Sequence, residues 1–131
     1  MPATLKQLPR PTDAELAILG VLWRLGPSTV RTVMEQLSQV QPTGYTTVLK
    51  LLQIMTEKGL VRRTEAGRQH IYEPTLREQD TQRQLLRDLM DRAFEGSAQK
   101  LVLQALSAKP ADAGELAEIR RLLKQLEEEA Q

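Results

Sequence analysis

The chain has no cysteine, a single histidine and only four large aromatics, Trp23, Tyr45, Tyr72 and Phe94. Without cysteine, disulfides, thiolate metal sites and thiol catalysis are all excluded, a composition that fits a reducing cytoplasm. Scarce aromatics leave the core to Leu, Val, Ile and Ala, which favours helices. No apolar run approaches the roughly 18 residues of a membrane-spanning helix, so no membrane insertion is expected. Residues 1–11 carry two basic residues and three prolines but no apolar centre. They do not read as a signal peptide, and a frayed arm is expected there. Catalytic signatures are missing too: there is no nucleophile elbow, phosphate loop, HExxH motif or paired histidine, and Ser28 and Ser97 stand where helix caps belong. Neither an enzyme nor a cofactor is expected. His70, with no cluster of acids or thiols near it in sequence, does not suggest a metal site.

What the chain has is an ordinary soluble composition, 27% charged and 40% hydrophobic over 131 residues, enough for one domain or two small ones. The net charge is only +1, but it is unevenly spread. Residues 1–75 hold nine Lys/Arg against six Asp/Glu, and residues 76–131 hold nine against eleven. A modestly basic first half joined to an acidic second half suits a DNA reader with an appended module of another kind.

The helices announce themselves by caps. Thr12-Asp13-Ala14-Glu15 is a capping box that opens a helix to about Leu25, where Gly26-Pro27 stops it. Ser28 is placed to cap a second helix over about Thr29–Gln39. In the third, Val48, Leu51, Leu52 and Met55 recur at i, i+3, i+4 and i+7, the spacing of one helical face, while Thr46, Lys50, Gln53 and Glu57 lie opposite. Gly59 supplies the left-handed residue at that helix's end. Two β-forming stretches around Leu60-Val61 and Ile71-Tyr72 then flank Glu65-Ala66-Gly67-Arg68, which reads as a hairpin, with Pro74 ending its second strand. His70 alternates with Ile71 and is expected to face outward.

Helix, helix, turn, helix and hairpin define a winged helix-turn-helix over residues 1–75, in a mainly α chain. In such a unit the third helix can enter the major groove of double-stranded DNA while the hairpin reaches neighbouring phosphates. The residues expected to contact DNA are Tyr45, Thr46, Thr47, Lys50 and Gln53 on the helix and Arg62, Arg63 and Arg68 on the wing. Thr, Gln and Lys can pair with base edges or phosphates, and the arginines with phosphates. Winged helices also serve as protein-binding modules, and that alternative stays open.

Residues 76–131 read as three further helices. Thr75-Leu76-Arg77-Glu78 is a second capping box, opening a long helix to about Phe94. Ser97 is placed to cap a short helix over Ala98–Leu106, and Asp112-Ala113-Gly114-Glu115 resembles a third box that starts the last helix. Glu127-Glu128-Glu129 sits at the unfavourable end of the helix dipole and is expected to fray. A segment this small buries little surface alone. Its apolar positions Leu85, Leu86, Leu89, Met90, Phe94, Leu101, Val102, Leu106, Leu116, Ile119, Leu122 and Leu123 are therefore expected to meet their counterparts in a homodimer. A two-fold dimer predicts a palindromic operator.

The series Thr12-Asp-Ala-Glu-Leu, Val21-Leu-Trp, Ser28-Thr-Val-Arg-Thr-Val, Tyr45-Thr-Thr-Val-Leu, Glu57-Lys-Gly-Leu-Val, Gly67-Arg and Tyr72-Glu-Pro, followed by Phe94-Glu-Gly-Ser and Lys100-Leu-Val-Leu, resembles the BlaI/MecI family of penicillinase repressors. The resemblance implies a dimeric bacterial repressor of the antibiotic-resistance type, binding dyad operators. It also implies a membrane sensor metallopeptidase as partner, triggering proteolysis in the C-terminal half. Three departures limit what carries over. Lys50 stands where the family commonly has threonine and Ile54 where it has arginine, so the operator sequence is not implied. Gln104-Ala105 stands in place of a scissile Asn-Phe. Without cysteine, a copper switch of the kind found in related repressors is excluded.

Overall fold

The computed structural model describes residues 8–130, so most of the arm expected over residues 1–11 lies outside the described residues. Eight elements follow in order: α1 (Asp13–Leu25), α2 (Val30–Ser38), α3 (Tyr45–Lys58), β1 (Val61–Ala66), β2 (Gln69–Pro74), α4 (Glu78–Ala93), α5 (Ala98–Ala108) and α6 (Ala113–Glu129). The chain is mainly helical with one two-stranded antiparallel hairpin, as expected. It divides into two compact units, residues 1–87 and 88–131.

In the first unit, α1 starts at the foreseen box: Glu15 N donates to Thr12 Oγ1 at 3.2 Å, and Thr12 N donates back to Glu15 Oε1 at 2.9 Å. Gly26, at φ 85°, lies in a backbone region that side chains disfavour, and it ends the helix there. The start of α2 departs from expectation. Thr29, not Ser28, is its N-cap, its hydroxyl accepting from Thr32 N at 3.2 Å. Ser28 is buried and extended into an antiparallel bridge, with Ser28 N donating to Tyr72 O at 3.0 Å and Tyr72 N to Ser28 O at 2.9 Å. Its hydroxyl turns back to Gly26 O. The chain between α1 and α2 thus acts as a one-residue third strand, a tertiary use that no local cap rule reveals.

The third helix spans Tyr45–Lys58 and stops, as expected, at Gly59, which is left-handed at φ 82°. Its Val48, Leu52 and Met55 are completely buried. They meet Ile18, Leu19, Val21 and Leu22 of α1, Val30 and Val33 of α2, Leu60 just before the hairpin, Val61 of β1 and Tyr72 of β2, forming one apolar cluster. At about 1.5–3 kcal/mol for each large apolar side chain taken fully out of water, this cluster dominates the stability of the first unit.

The hairpin runs in register from Val61↔Pro74 to Ala66↔Gln69, closed by Gly67-Arg68 with Gly67 at φ 66°. Pro74 ends β2 as expected. The capping role expected of Thr75 is not found. Its hydroxyl donates instead to Gly59 O at 2.7 Å, and its N–H to Leu60 O, tying the end of the hairpin to the end of α3. Burial of that junction outcompetes a helix cap, and α4 begins at Glu78. The first turns of α4 belong to this unit, with Thr81 buried and Gln84 Nε2 donating to Leu8 O at 2.8 Å.

Trp23 packs, partly buried, on the edge of the core, with its indole N–H donating to Leu76 O at 3.0 Å. Trp23→Phe is expected to lower stability by about 1 kcal/mol by leaving that carbonyl unpaired, read as a lower urea midpoint with an unchanged slope. No change in midpoint would assign the indole a packing role alone.

In the second unit, Ser97 caps α5 by accepting from Lys100 N at 3.1 Å, as foreseen, and α5 extends two residues past the expected Leu106. The Asp112–Glu115 box opens α6, with Glu115 N donating to Asp112 Oδ1 at 2.8 Å. The acidic end, expected to fray, remains helical through Glu129, where Gln125 Nε2 donates to Glu129 Oε1. Neither α5 nor α6 has a buried residue.

Candidate nucleic-acid interface

Helical geometry sorts the residues of α3 into three faces. At 100° per residue, buried Val48, Leu52 and Met55 point into the core, and Thr46, Lys50, Gln53 and Glu57 lie directly opposite, all exposed. Tyr45 and Leu49 form one flank, and Thr47 and Leu51 the other. Of the five helix residues expected to contact DNA, Thr46, Lys50 and Gln53 therefore form the central outward row. Tyr45 and Thr47 sit on opposite shoulders. Thr47 shares a groove with Ala17, Leu37, Pro42 and Leu51, and Tyr45 lines a cleft toward the hairpin. Fourteen residues make α3 about 21 Å long, and a single helix fits the roughly 12 Å width of the major groove.

The three wing arginines differ in their surroundings. Arg62 is paired across the strands with Glu73, Nε to Oε1 at 3.3 Å, so its charge is partly spent within the hairpin. Arg63 and Arg68 are exposed and have no ion-pair partner among the described residues. Arg63 is registered with Tyr72, and Arg68 sits in the turn at the tip.

The hairpin's alternation corrects the reading of His70. Because strand side chains repeat every two residues, His70 shares the face of Tyr72, and Tyr72 is the residue buried against the helices. Ile71 lies on the other face. His70 is consequently half-exposed and turned toward the cleft beside α3, with Glu65 Oε1 at 3.7 Å from its Nε2. The outward His70 expected from sequence would need Ile71 inward, a one-residue slip that inverts the strand. Thr29 and Arg31 of α2 line the same cleft, and neither was singled out from sequence. A basic residue at the second position of α2 was the available signal.

One charged pair holds α3 in place. Glu15 of α1 is buried, and both its carboxylate oxygens accept from Lys58 Nζ at 2.9 Å. Burial pushes the Glu15 carboxyl up, but the Thr12 N–H, the Lys58 hydrogen bond and the Lys58 charge together outweigh it, so its pKa lies below the usual value. Lys58 is thereby committed to the fold, and the outward cation of α3 is Lys50.

Three helices with a hairpin wing, an outward polar row on the third helix and exposed arginines on the wing define the winged helix-turn-helix class. The family model described as penicillinase repressor matches residues 11–125, and the chain belongs to that family. It is a winged-helix transcriptional repressor, not an enzyme. Among its relatives, the transcriptional regulator BlaI of Mycobacterium tuberculosis is 34% identical over 126 residues, covering 92% of this chain and 88% of that protein. The penicillinase repressor of Bacillus licheniformis is 24% identical over 121 residues, covering 92% and 94%. The solution structure of the DNA binding domain of the repressor BlaI is similar at a TM-score of 0.51 and 28% identity, covering 57% of this chain and 92% of that one.

Proposed function

We propose that this repressor binds a palindromic double-stranded DNA operator as a homodimer, reading bases with α3 and gripping phosphates with the hairpin. The observation that carries the reading is the outward row of Thr46, Lys50 and Gln53, opposite the buried face of α3, together with exposed Arg63 and Arg68 on the wing, of which Arg68 shares a cleft with Tyr45 of α3. Tyr45 and Thr47, on its two shoulders, reach the groove walls, and Arg62 contributes once phosphate competes with Glu73.

Dimerisation through the C-terminal helices is supported by what those helices leave uncovered. Leu86, Leu89, Val102, Leu103, Leu116, Leu122, Leu123 and Leu126 are all exposed, and Leu85, Met90, Phe94, Leu101, Leu106 and Ile119 are only half-covered. A soluble surface rarely displays so much apolar area without a partner, and a second copy presents the same surface. Release follows from the same helices. α5 has no buried residue, so its local opening costs little, which suits proteolysis somewhere in the C-terminal half triggered by a membrane sensor metallopeptidase, at a bond other than the family's Asn-Phe.

Gel retardation of the DNA upstream of the chain's own gene, over a series of salt concentrations, tests the reading. Log affinity is expected to fall linearly with log salt as phosphate contacts release counterions. Lys50→Ala is expected to reduce discrimination between that DNA and random duplex by about 1–3 kcal/mol, whereas Arg68→Ala weakens both alike and lowers the salt slope by about one. Identical behaviour of the two variants would contradict this division of labour. No retardation at low salt, with a stable protein partner recovered instead, would favour the protein-binding alternative.

A further inference from the structure

The cleft between α3 and the hairpin is not used by the reading of base edges. It has a volume of about 240 Å³, room for several waters or one phosphate group with its ester oxygens. Three elements bring cationic or donor groups to it: Arg31 from α2, Tyr45 from α3, and Arg68, Gln69 and His70 from the hairpin tip. No acidic residue lines it. The acid nearest His70, Glu65, is 3.7 Å from Nε2 and is itself 77% exposed, on the solvent side. Arg31 and Arg68 have no ion-pair partner among the described residues. Like charges converging on a concavity repel one another, and an anion seated there relieves that repulsion while accepting hydrogen bonds from both guanidinium groups.

We propose that this cleft is a phosphodiester site, in which Arg31 and His70 join Arg68 and Tyr45 to hold one backbone phosphate of the bound duplex. The proposal rests on the DNA-binding reading above and extends it to residues of α2 and β2. Its position fits the task. Tyr45 and Leu49 form the shoulder of α3 that faces the hairpin, so with α3 in the major groove the bordering strand would run past this cleft. The neutral imidazole carries one N–H and one acceptor nitrogen, whereas the imidazolium carries two donors and a positive charge. A phosphate in the cleft therefore favours the protonated form. Glu65, Arg31, Arg68, Tyr45 and buried Tyr72, with Arg63 on the same face of the hairpin, are the charged and titratable groups around it, and Glu65 is the one acid that competes for the ring. Duplex binding near neutral pH is then accompanied by proton uptake at His70, and it weakens as pH rises.

The test uses the full chain and a mixed-sequence duplex of about 30 base pairs at low salt, because backbone contacts do not depend on sequence. Titration calorimetry at pH 7 in two buffers of different ionisation enthalpy measures proton uptake. The wild type is expected to take up more protons than His70→Gln. Its affinity should fall by up to about tenfold between pH 6 and pH 8, a fall that His70→Gln flattens. Arg31→Ala is expected to weaken binding about three- to tenfold and to lower the salt slope by about one. Since His70 is the only histidine in the chain, its ring signals in NMR are unambiguous and should shift on adding duplex. Duplex binding with equal proton uptake in wild type and His70→Gln, and with stationary ring signals, overturns the site while leaving the DNA reading intact. Ring signals that move with millimolar inorganic phosphate but not with duplex make this a small-anion site and overturn the backbone assignment. Absence of duplex binding at low salt removes the DNA reading itself, and this site with it.

Discussion

A chain ending at Arg87 is expected to stay folded, to run as a monomer and to bind a two-half-site operator about 100-fold or more weakly than the full chain. The fold is retained because every residue of the apolar cluster lies between Ile18 and Tyr72, and because the contacts that close this unit, Trp23 to Leu76 and Gln84 to Leu8, end before Arg87. Affinity is expected to fall because, in the proposed dimer, two linked reading heads turn the second binding event into an intramolecular one, a gain of roughly 10²–10⁴ that a monomer forfeits. Sedimentation, circular dichroism and gel retardation of the two chains measure each part. A shorter chain ending at Thr75 is expected to be less stable than the one ending at Arg87, since it removes the acceptor of the Trp23 indole and buried Thr81. Equal operator affinity for the full chain and the chain ending at Arg87 would sink the dimer as the point of control.

Glu15→Ala is expected to cost about 3 kcal/mol, the largest loss foreseen for a single substitution. It strands Lys58 at the end of α3 and removes half of the capping box of α1. The one-third exposure of Lys58 lets water recover part of its solvation, which keeps the figure at the low end for a broken buried pair. Acid should expose the same bond. The folded-state pKa of Glu15 is lowered, so its contribution is fully present above the unfolded carboxyl value of about 4.3 and is lost as pH falls through the folded value. Urea midpoints of wild type and Glu15→Gln are therefore expected to differ widely at pH 7 and to converge below about pH 4. Curves that stay parallel from pH 6 to pH 3 would show that the pair does not carry this stability. Placing an apolar residue at both positions should restore much of the loss, because no buried charge is then left alone.

Local signals were legible wherever local physics decides. The Thr12–Glu15 and Asp112–Glu115 boxes, Ser97 at the start of α5, the 3.6-residue spacing of Val48, Leu52 and Met55, and Gly59 and Gly67 at positive φ all stand where the chain's own pattern places them. Ser28 and Thr75 were misread for one reason: each has a side chain suited to capping the next helix, and each is claimed by a distant strand or turn instead. His70 was misread because a short apolar pair, Ile71-Tyr72, does not by itself say which member faces inward. Tyr72 wins because its larger surface gains more from burial and its backbone completes the bridge to Ser28.

Sequence alone determined the helices, the turn glycines, the winged helix-turn-helix order and the family, because those rest on contacts within a few residues or on the pattern of the whole chain. Tertiary structure decided what the polar residues do. It committed Lys58 to Glu15 and engaged Arg62 with Glu73, and it turned His70 toward Arg31 and Arg68 across a cleft built from three elements. A charge's role depends on which opposite charge lies within a few ångströms, and only the folded chain sets those distances.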